Sequence, residues 1–150
     1  MYDSGNTWNA RSNAQALTLH RDLRLVMGDA LRMSDVPFQL VQGARTIEQQ
    51  RAYFAAGKSK VNPDAYALPS ALYAAAKHVT GPGMPLSRAV DIIIDLPKLG
   101  YDVKHLSYVA GVVLTCARMR GISVRWGANF DKDKELFEQS FVDAPHFELD

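Results

Sequence analysis

The segment RAVDIIID, residues 88–95, constrains the fold of this chain more than any other stretch. Its β-branched residues favour an extended strand, whose alternate side chains point to opposite faces. One face would be apolar and would point into a core: Val90, Ile92 and Ile94. Asp91 falls on the other face, near the start of the strand. A rigid strand that otherwise belongs to the core is therefore predicted to present one carboxylate at a fixed position.

Helical and extended patterns share the rest of the chain without a strict β-α-β rhythm. Helices are predicted at four places: residues 18–33 with Thr18 as the cap, 46–57 from the capping box Thr46-x-x-Gln49, 70–77, and 102–120 with Asp102 as the cap. Further strands are predicted at 38–41, 123–126 and 146–149. The order of these elements predicts an α+β fold in which helices flank a small antiparallel sheet.

The composition supports one domain and excludes some partners. A chain of 150 residues that is 47% hydrophobic can bury one core, so we expect a single domain over 1–150, with residues 1–16 free to be a loose segment. The net charge of +1 gives no reason to expect a nucleic-acid partner. No signal peptide and no membrane span are recognisable. We therefore expect a protein that is made in the cytoplasm and has no stable membrane association. We also expect a monomer, and a buried core position for the thiol of Cys116.

Two of the four histidines, His78 and His146, lie at junctions between loops and regular elements, near carboxylates. Taken alone, either is more often structural than a ligand. A catalytic zinc site, however, needs three protein ligands and an open position for water, and His78, Asp91 and His146 supply such a set. Asp143, three residues before His146, is placed to act as the acid/base that takes a proton from the water.

These motifs together resemble the zinc metallopeptidases that include D-alanyl-D-alanine carboxypeptidases and phage L-alanyl-D-glutamate endopeptidases. The family segment Ser-x-His-x-x-Gly-x-Ala-x-Asp is similar to His78–Gly81 followed by Ala89–Asp91, and Asp-x-x-His is similar to Asp143–His146. The family's Gly-x-Arg-Thr-x-x-Gln-Gln and Trp-Gly segments resemble Gly43–Gln50 and Trp126–Gly127. There are two departures: Pro82–Ser87 is inserted between the first two ligands, and Ala76 replaces the serine.

The resemblance implies a fold like that of Hedgehog and the D,D-peptidases, with zinc held by His78, Asp91 and His146 and with Asp143 as the catalytic acid/base. It also implies that Arg45 binds a substrate carboxylate or the developing oxyanion, although a structural ion pair is the alternative for this arginine. Trp126 is predicted to line the substrate groove, with a core position as the alternative.

The resemblance is strongest to the phage branch. It implies an endolysin that hydrolyses the L-alanyl-D-glutamate bond of peptidoglycan stem peptides during host-cell lysis. Such an enzyme accumulates in the host cytoplasm and acts on the wall after release. Two alternatives remain: a D,D- or L,D-carboxypeptidase that acts on the same peptide, and a non-catalytic domain that binds the cell wall.

Overall fold

The structure is a computed structural model that describes residues 2–139 and 142–150. Within these residues it contains five α-helices: α1 Ala10–Ala16, α2 Arg21–Met33, α3 Ile47–Ala55, α4 Pro69–Ala75 and α5 Val103–Met119. The same residues contain one 3-10 turn, Pro63–Ala65, and four strands: β1 Phe38–Gln42, β2 Ala89–Ile94, β3 Val124–Trp126 and β4 His146–Leu149. None of the described helices is both long and apolar enough to cross a membrane.

The four strands form one antiparallel sheet in the order β1-β2-β4-β3. This confirms the predicted α+β class. The central strand β2 pairs with β1 on one side and β4 on the other, and Asp91 stands directly opposite His146 in the β2–β4 register. Val90, Ile92 and Ile94 are buried, as the alternation predicts. Asp91 therefore emerges from the face of the sheet opposite the core.

The main core lies between this sheet and the helices. Helix α2 packs against α5, and α5 packs against β2 and β3. Asp102 caps α5 by accepting a hydrogen bond from the His105 backbone N–H, as predicted. Cys116 is buried on the inner side of α5, which confirms its predicted core position. The core therefore fixes the outer face of the sheet, on which Asp91 and His146 lie.

The N-terminal segment differs from the sequence-based expectation. Residues 10–16 form α1, which packs on β1, instead of a loose segment. The Ser12 hydroxyl donates a 2.7 Å hydrogen bond to Oε1 of Gln39, and the Asn9 backbone N–H donates to the same oxygen at 3.0 Å. Both Ser12 and Gln39 are buried, so their polar groups need each other as partners. This tertiary contact, which no local pattern reveals, holds α1 in place.

The cap of the next helix was also predicted wrongly. Helix α2 begins at Arg21, and its cap is His20, whose Nδ1 accepts a hydrogen bond from the Asp22 backbone N–H at 3.2 Å. The Thr18 hydroxyl instead donates to the Gln15 carbonyl at the end of α1. The helix starts later than expected because Thr18 terminates the preceding helix.

The inserted segment forms a tight hairpin beside α4. The backbones of Gly81 and Met84 exchange two hydrogen bonds of 2.9 Å, and Gly83 has the positive φ of 81° that such a turn requires. The Tyr73 hydroxyl of α4 donates to the Pro82 carbonyl at 3.0 Å. At the far end, Ser87 is fully buried, and its backbone N–H donates to the Thr18 carbonyl. The hairpin therefore lengthens the loop without displacing its two ends.

Candidate metal centre

The three proposed ligands come from three separate elements. His78 lies in the loop after α4, Asp91 on β2 and His146 at the start of β4. The sheet register holds Asp91 and His146 together. His78 is held by the backbone, since its carbonyl accepts a 2.8 Å hydrogen bond from the Arg45 N–H. Residues distant in the sequence are thereby brought to one point at the surface of the sheet.

The ligand atoms have the spacing that a tetrahedral metal site needs. Nε2 of His78 lies 3.3 Å from Oδ2 of Asp91, and Nδ1 of His146 lies 3.0 Å from Oδ1 of the same carboxylate. The two ring nitrogens are 3.3 Å apart. Ligands bound at about 2.0–2.1 Å around a tetrahedral ion are about 3.3 Å from one another. Two imidazoles and one carboxylate at these distances can hold one divalent cation.

The outer nitrogens of both rings have partners that orient them. Nδ1 of His78 lies 2.7 Å from the Gly43 carbonyl, which can only accept, so this nitrogen donates and Nε2 is left to bind an ion. Nε2 of His146 lies 3.1 Å from Oε1 of Glu148. Carboxylates and backbone carbonyls in such positions fix the ring and raise the basicity of the ligating nitrogen. Glu148 is in turn 4.0 Å from the Lys77 ammonium.

The electrostatics of the centre favour a cation. Burial raises the pKa of Asp91, but the nearby rings of His78 and His146 lower it further, so that the carboxyl stays ionised far below its usual range. Burial lowers the pKa of His146, yet its hydrogen bonds to Asp91 and Glu148 raise it to about 9 overall. Since a proton and a metal ion compete for the same nitrogen, the surrounding carboxylates attract a positive charge in either form.

Asp143 lies beside the ligand set but outside it. Its Oδ2 is 4.0 Å from Nδ1 of His146, and its side chain is 37% exposed. Burial and the negative charge of Asp91 raise the pKa of this carboxyl, which makes it a stronger base than an ordinary aspartate. A carboxylate that faces the open side of a metal site can exchange protons with a water there.

Gly127 makes the turn from Asp143 to His146 possible. Its N–H donates to the His146 carbonyl and its carbonyl accepts from the Asp143 N–H, both at 2.8 Å. A Cβ on this residue would lie 1.9 Å from the Asp143 carbonyl oxygen, a distance that no real structure tolerates. The glycine of the Trp-Gly motif is therefore required by the close approach of two backbones.

Arg45 is fixed by neutral groups. Its Nη2 and Nε donate to Oε1 of Gln42 at 2.6 and 3.2 Å, and its Nη1 donates to Oε1 of Gln50 at 2.8 Å. Its Cζ stacks 4.3 Å from the centroid of the Tyr53 ring. The alternative of a structural ion pair does not describe this arrangement, because amide oxygens hold the guanidinium. Its positive charge therefore stays available to a ligand in the groove.

Trp126 does not line the groove, so this part of the prediction was wrong. Its side chain is only 4% exposed, and its indole N–H donates to the Ala144 carbonyl at 2.8 Å. Val124, two residues earlier on the same strand, is buried on the same side, which is the sequence signal for the core alternative. Trp126 borders a separate cavity of about 550 Å³ that shares no lining residue with the groove. The indole instead supports the turn that carries the Asp143–His146 segment.

A groove of about 880 Å³ runs from the candidate metal centre along α3. At one end its walls carry the acidic groups and histidines: His78, Asp91, Asp143, His146 and Glu148. Its lining also includes residues that the sequence reasoning did not single out: Arg11, Gln50, Tyr53, Lys58 and Phe130. The inserted residues 82–87 do not belong to the lining that the structure describes.

Comparisons with known proteins agree with the resemblance predicted from the motifs. Residues 5–150 match the family described as phage L-alanyl-D-glutamate peptidase. Among solved structures, the L-Ala D-Glu endopeptidase ChiX of Serratia marcescens superposes with a TM-score of 0.71 at 28% sequence identity. The match covers 97% of this chain and 92% of that chain. A search of curated protein sequences finds no significant match.

Proposed function

Because the chain belongs to the phage L-alanyl-D-glutamate peptidase family, we propose that it is a zinc-dependent enzyme that hydrolyses the L-alanyl-D-glutamate bond of peptidoglycan stem peptides. One observation carries the catalytic part of this proposal. His78, Asp91 and His146 converge with 3.0–3.3 Å between their ligand atoms, at the acidic end of a groove that is open to solvent. A purely wall-binding domain has no need for such a set.

Zinc is the ion that this ligand set suits best, since two histidines and one carboxylate with an open fourth position are typical of catalytic zinc sites. Bound there, zinc would polarise the scissile carbonyl and lower the pKa of a water molecule to about 7. The protein contributes the rigid placement of the ligands. Gly43 and Glu148 contribute the orientation of the two rings.

Asp143 is proposed as the acid/base. Its carboxylate accepts the proton of the attacking water and delivers it to the amine of D-glutamate as the peptide bond breaks. Its raised pKa supports both halves of this role, because the group must be basic enough to take the proton and acidic enough to return it. The turn stabilised by Gly127 keeps it next to the ligand His146.

Arg45 is proposed to bind the substrate. Three of its N–H groups are engaged by Gln42 and Gln50, so the guanidinium is held in one orientation before the substrate arrives. A guanidinium carries five N–H donors, which leaves two for a substrate carboxylate or for the oxyanion that develops on the scissile carbonyl. Because the guanidinium is already ordered, binding the substrate costs no further side-chain conformational entropy at this residue.

The phage origin named in the family description supports a biological role in lysis. We extend the proposal to an endolysin that acts as a monomer with one domain over residues 1–150. It would be made in the host cytoplasm and would reach the wall at the time of lysis.

The proposal is tested by digesting purified peptidoglycan and identifying the new termini by mass spectrometry. We expect new C-terminal L-alanine and new N-terminal D-glutamate, and we expect both to disappear when the metal is chelated and to return when zinc is added. Release of free D-alanine would establish the carboxypeptidase alternative instead. Wall binding without any new terminus would establish the non-catalytic alternative.

A further inference from the structure

Lys58 lies at the C-terminal end of α3, in a position that the backbone fixes. Gly57 adopts a positive φ of 73°, and the N–H groups of Gly57 and Lys58 donate to the carbonyls of Phe54 and Tyr53 at 3.1 and 2.8 Å. These two hydrogen bonds form a Schellman motif, which ends a helix and sets the direction of the next residue. The chain is thereby turned so that Lys58 stands next to Tyr53.

The ring of Tyr53 contacts two cationic side chains. The Lys58 ammonium lies 5.9 Å from the ring centroid, and Cζ of Arg45 lies 4.3 Å from it. Both cations line the groove that leads to the candidate metal centre. The aromatic ring stabilises them through its π face. This arrangement leaves the Lys58 ammonium, and the two Arg45 N–H groups that Gln42 and Gln50 do not bind, available to a ligand in the groove.

The buried amide of Gln50 forms hydrogen bonds both with Arg45 and with the segment that follows Lys58. Oε1 of Gln50 accepts the hydrogen bond from Arg45, and its Nε2 donates to the Ser59 hydroxyl and the Val61 carbonyl, each at 2.8 Å. Gln50 is fully buried, so this network is shielded from water. The segment after Lys58 and the guanidinium of Arg45 are therefore positioned as one unit.

The two cations in this part of the groove do not form ion pairs, although Asp91 and Asp143 attract Arg45 from a longer distance. Throughout residues 2–139 and 142–150, no carboxylate lies within ion-pair distance of Lys58 or Arg45. Arg51, on α3 and seven residues before Lys58, is different, because it is paired with Asp64 at 2.8 Å. The groove thus has an acidic end at the candidate metal centre and a positively charged side along α3.

The proposed substrate carries a negative charge that matches the positively charged side of the groove. D-glutamate has two carboxyl groups, and the peptide continues through only one of them, so the other is a free carboxylate unless it is amidated. L-alanine contributes none, because its carboxyl group is part of the bond to be cut. Any nearby peptide carboxylate therefore lies on the D-glutamate side of the scissile bond.

Resting on the proposed function, we propose that Lys58 acts with Arg45 to bind the free carboxylate of D-glutamate. Lys58 is then a specificity residue that makes the enzyme prefer stem peptides with a free carboxylate over those in which this group is a carboxamide. A charged acceptor strengthens a hydrogen bond to a cation, and the carboxamide offers no such charge.

The test compares two soluble stem-peptide fragments that differ only in this group, carboxylate or carboxamide. The wild-type enzyme is expected to have a higher kcat/KM for the carboxylate form, by about tenfold or more. In Lys58→Met, which keeps an unbranched side chain on Tyr53, the ratio of the two kcat/KM values should fall by about tenfold, mainly through KM. Lys104→Met, at an exposed position of α5 outside the groove, should keep the wild-type ratio.

The ratio does not depend on the fraction of folded protein, so a poorly folding variant does not obscure the result. Equal kcat/KM values for the two peptides in the wild type, or an unchanged ratio in Lys58→Met, would overturn the role of Lys58 while the proposed function stands. Failure of the wild-type, zinc-loaded enzyme to cut either peptide or the purified wall would overturn the proposed function itself.

Discussion

Nδ1 of His146 lies 3.3 Å from Nε2 of His78, although 68 residues separate the two in the chain. Their opposite ring nitrogens face Glu148 and Gly43, so the two inner nitrogens are turned towards the same point. Asp91 contacts both. Burying two imidazoles and a carboxylate together costs free energy unless they bind a partner. The cluster is therefore better explained as a set of ligands for an ion than as packing.

Asp143→Asn should remove catalysis and leave the metal in place. Because Asp143 is outside the ligand set, the variant should bind zinc with wild-type stoichiometry while kcat/KM falls by about 10²–10⁴-fold. The measurements are metal content by mass spectrometry and the rate of peptide cleavage. Asp22→Asn, at a half-buried position of α2 outside the groove, is the matched control and should behave like the wild type. Wild-type lytic activity in Asp143→Asn would refute its role as the acid/base.

Glu148→Gln should weaken metal binding without abolishing the fold. The amide keeps the size of the side chain but removes the charge that stabilises the ring of His146, so zinc affinity should drop by about 10–100-fold. Competition with a chromophoric chelator measures this affinity. Glu48→Gln, exposed on α3, should leave it unchanged. An unaltered affinity in Glu148→Gln would show that Glu148 has no influence on the centre.

Gly127→Ala should disrupt the turn before His146. The new methyl group would collide with the Asp143 carbonyl, so the free energy of unfolding should fall by at least about 1–3 kcal/mol, and activity should fall with it. Gly111→Ala is the control within α5, where an added Cβ meets nothing within 4 Å. That variant should be more stable by about 0.5–1 kcal/mol. Urea unfolding compares the two, and equal effects would contradict the steric explanation.

The Asp29–Arg120 ion pair between α2 and α5 gives a prediction about pH. The hydrogen bond from Arg120, 2.5 Å long, lowers the pKa of Asp29 below its ordinary 3.8. An aspartate whose pKa is lower in the folded state than in the unfolded state stabilises the protein at pH values above the unfolded pKa. This contribution disappears as the pH falls through the folded pKa. Asp29→Asn should therefore lose about 0.5–1 kcal/mol at about pH 7, a small amount because the pair is near the surface.

The same loss should shrink as the pH is taken from about 7 to well below 3.8, because the folded carboxyl then also becomes protonated. Urea unfolding of both proteins at the two pH values measures the difference. A deficit that is equal or larger in acid would show that Asp29 contributes through packing and not through its charge.

Much of the site was predictable because its signals are local. The alternation in residues 88–95 identified the strand that carries Asp91, and the capping box at Thr46 identified the start of α3, which the structure confirms. The sequence motifs named the residues that converge. Whether they converge despite the insertion depended on the hairpin and its contact with Tyr73, which is a tertiary feature.

The sequence-based predictions that were wrong also depended on tertiary contacts. Helix α1 lacks an apolar periodicity of its own and is held by the buried pair of Ser12 and Gln39, which are 27 residues apart. Trp126 was assigned to the groove from its motif, whereas the alternation with Val124 predicted the core correctly. The helix end at Gly57 was predicted, but Lys58 was overlooked because its place in the groove is a tertiary feature.

The central claim is tested most directly by a crystal structure of the zinc-loaded protein, with an anomalous difference map recorded at the zinc edge. We predict one peak at about 2.0–2.1 Å from Nε2 of His78, an oxygen of Asp91 and Nδ1 of His146. The absence of a peak there, or a peak only at the exposed carboxylates of Asp131, Asp133 and Glu138, would contradict the account.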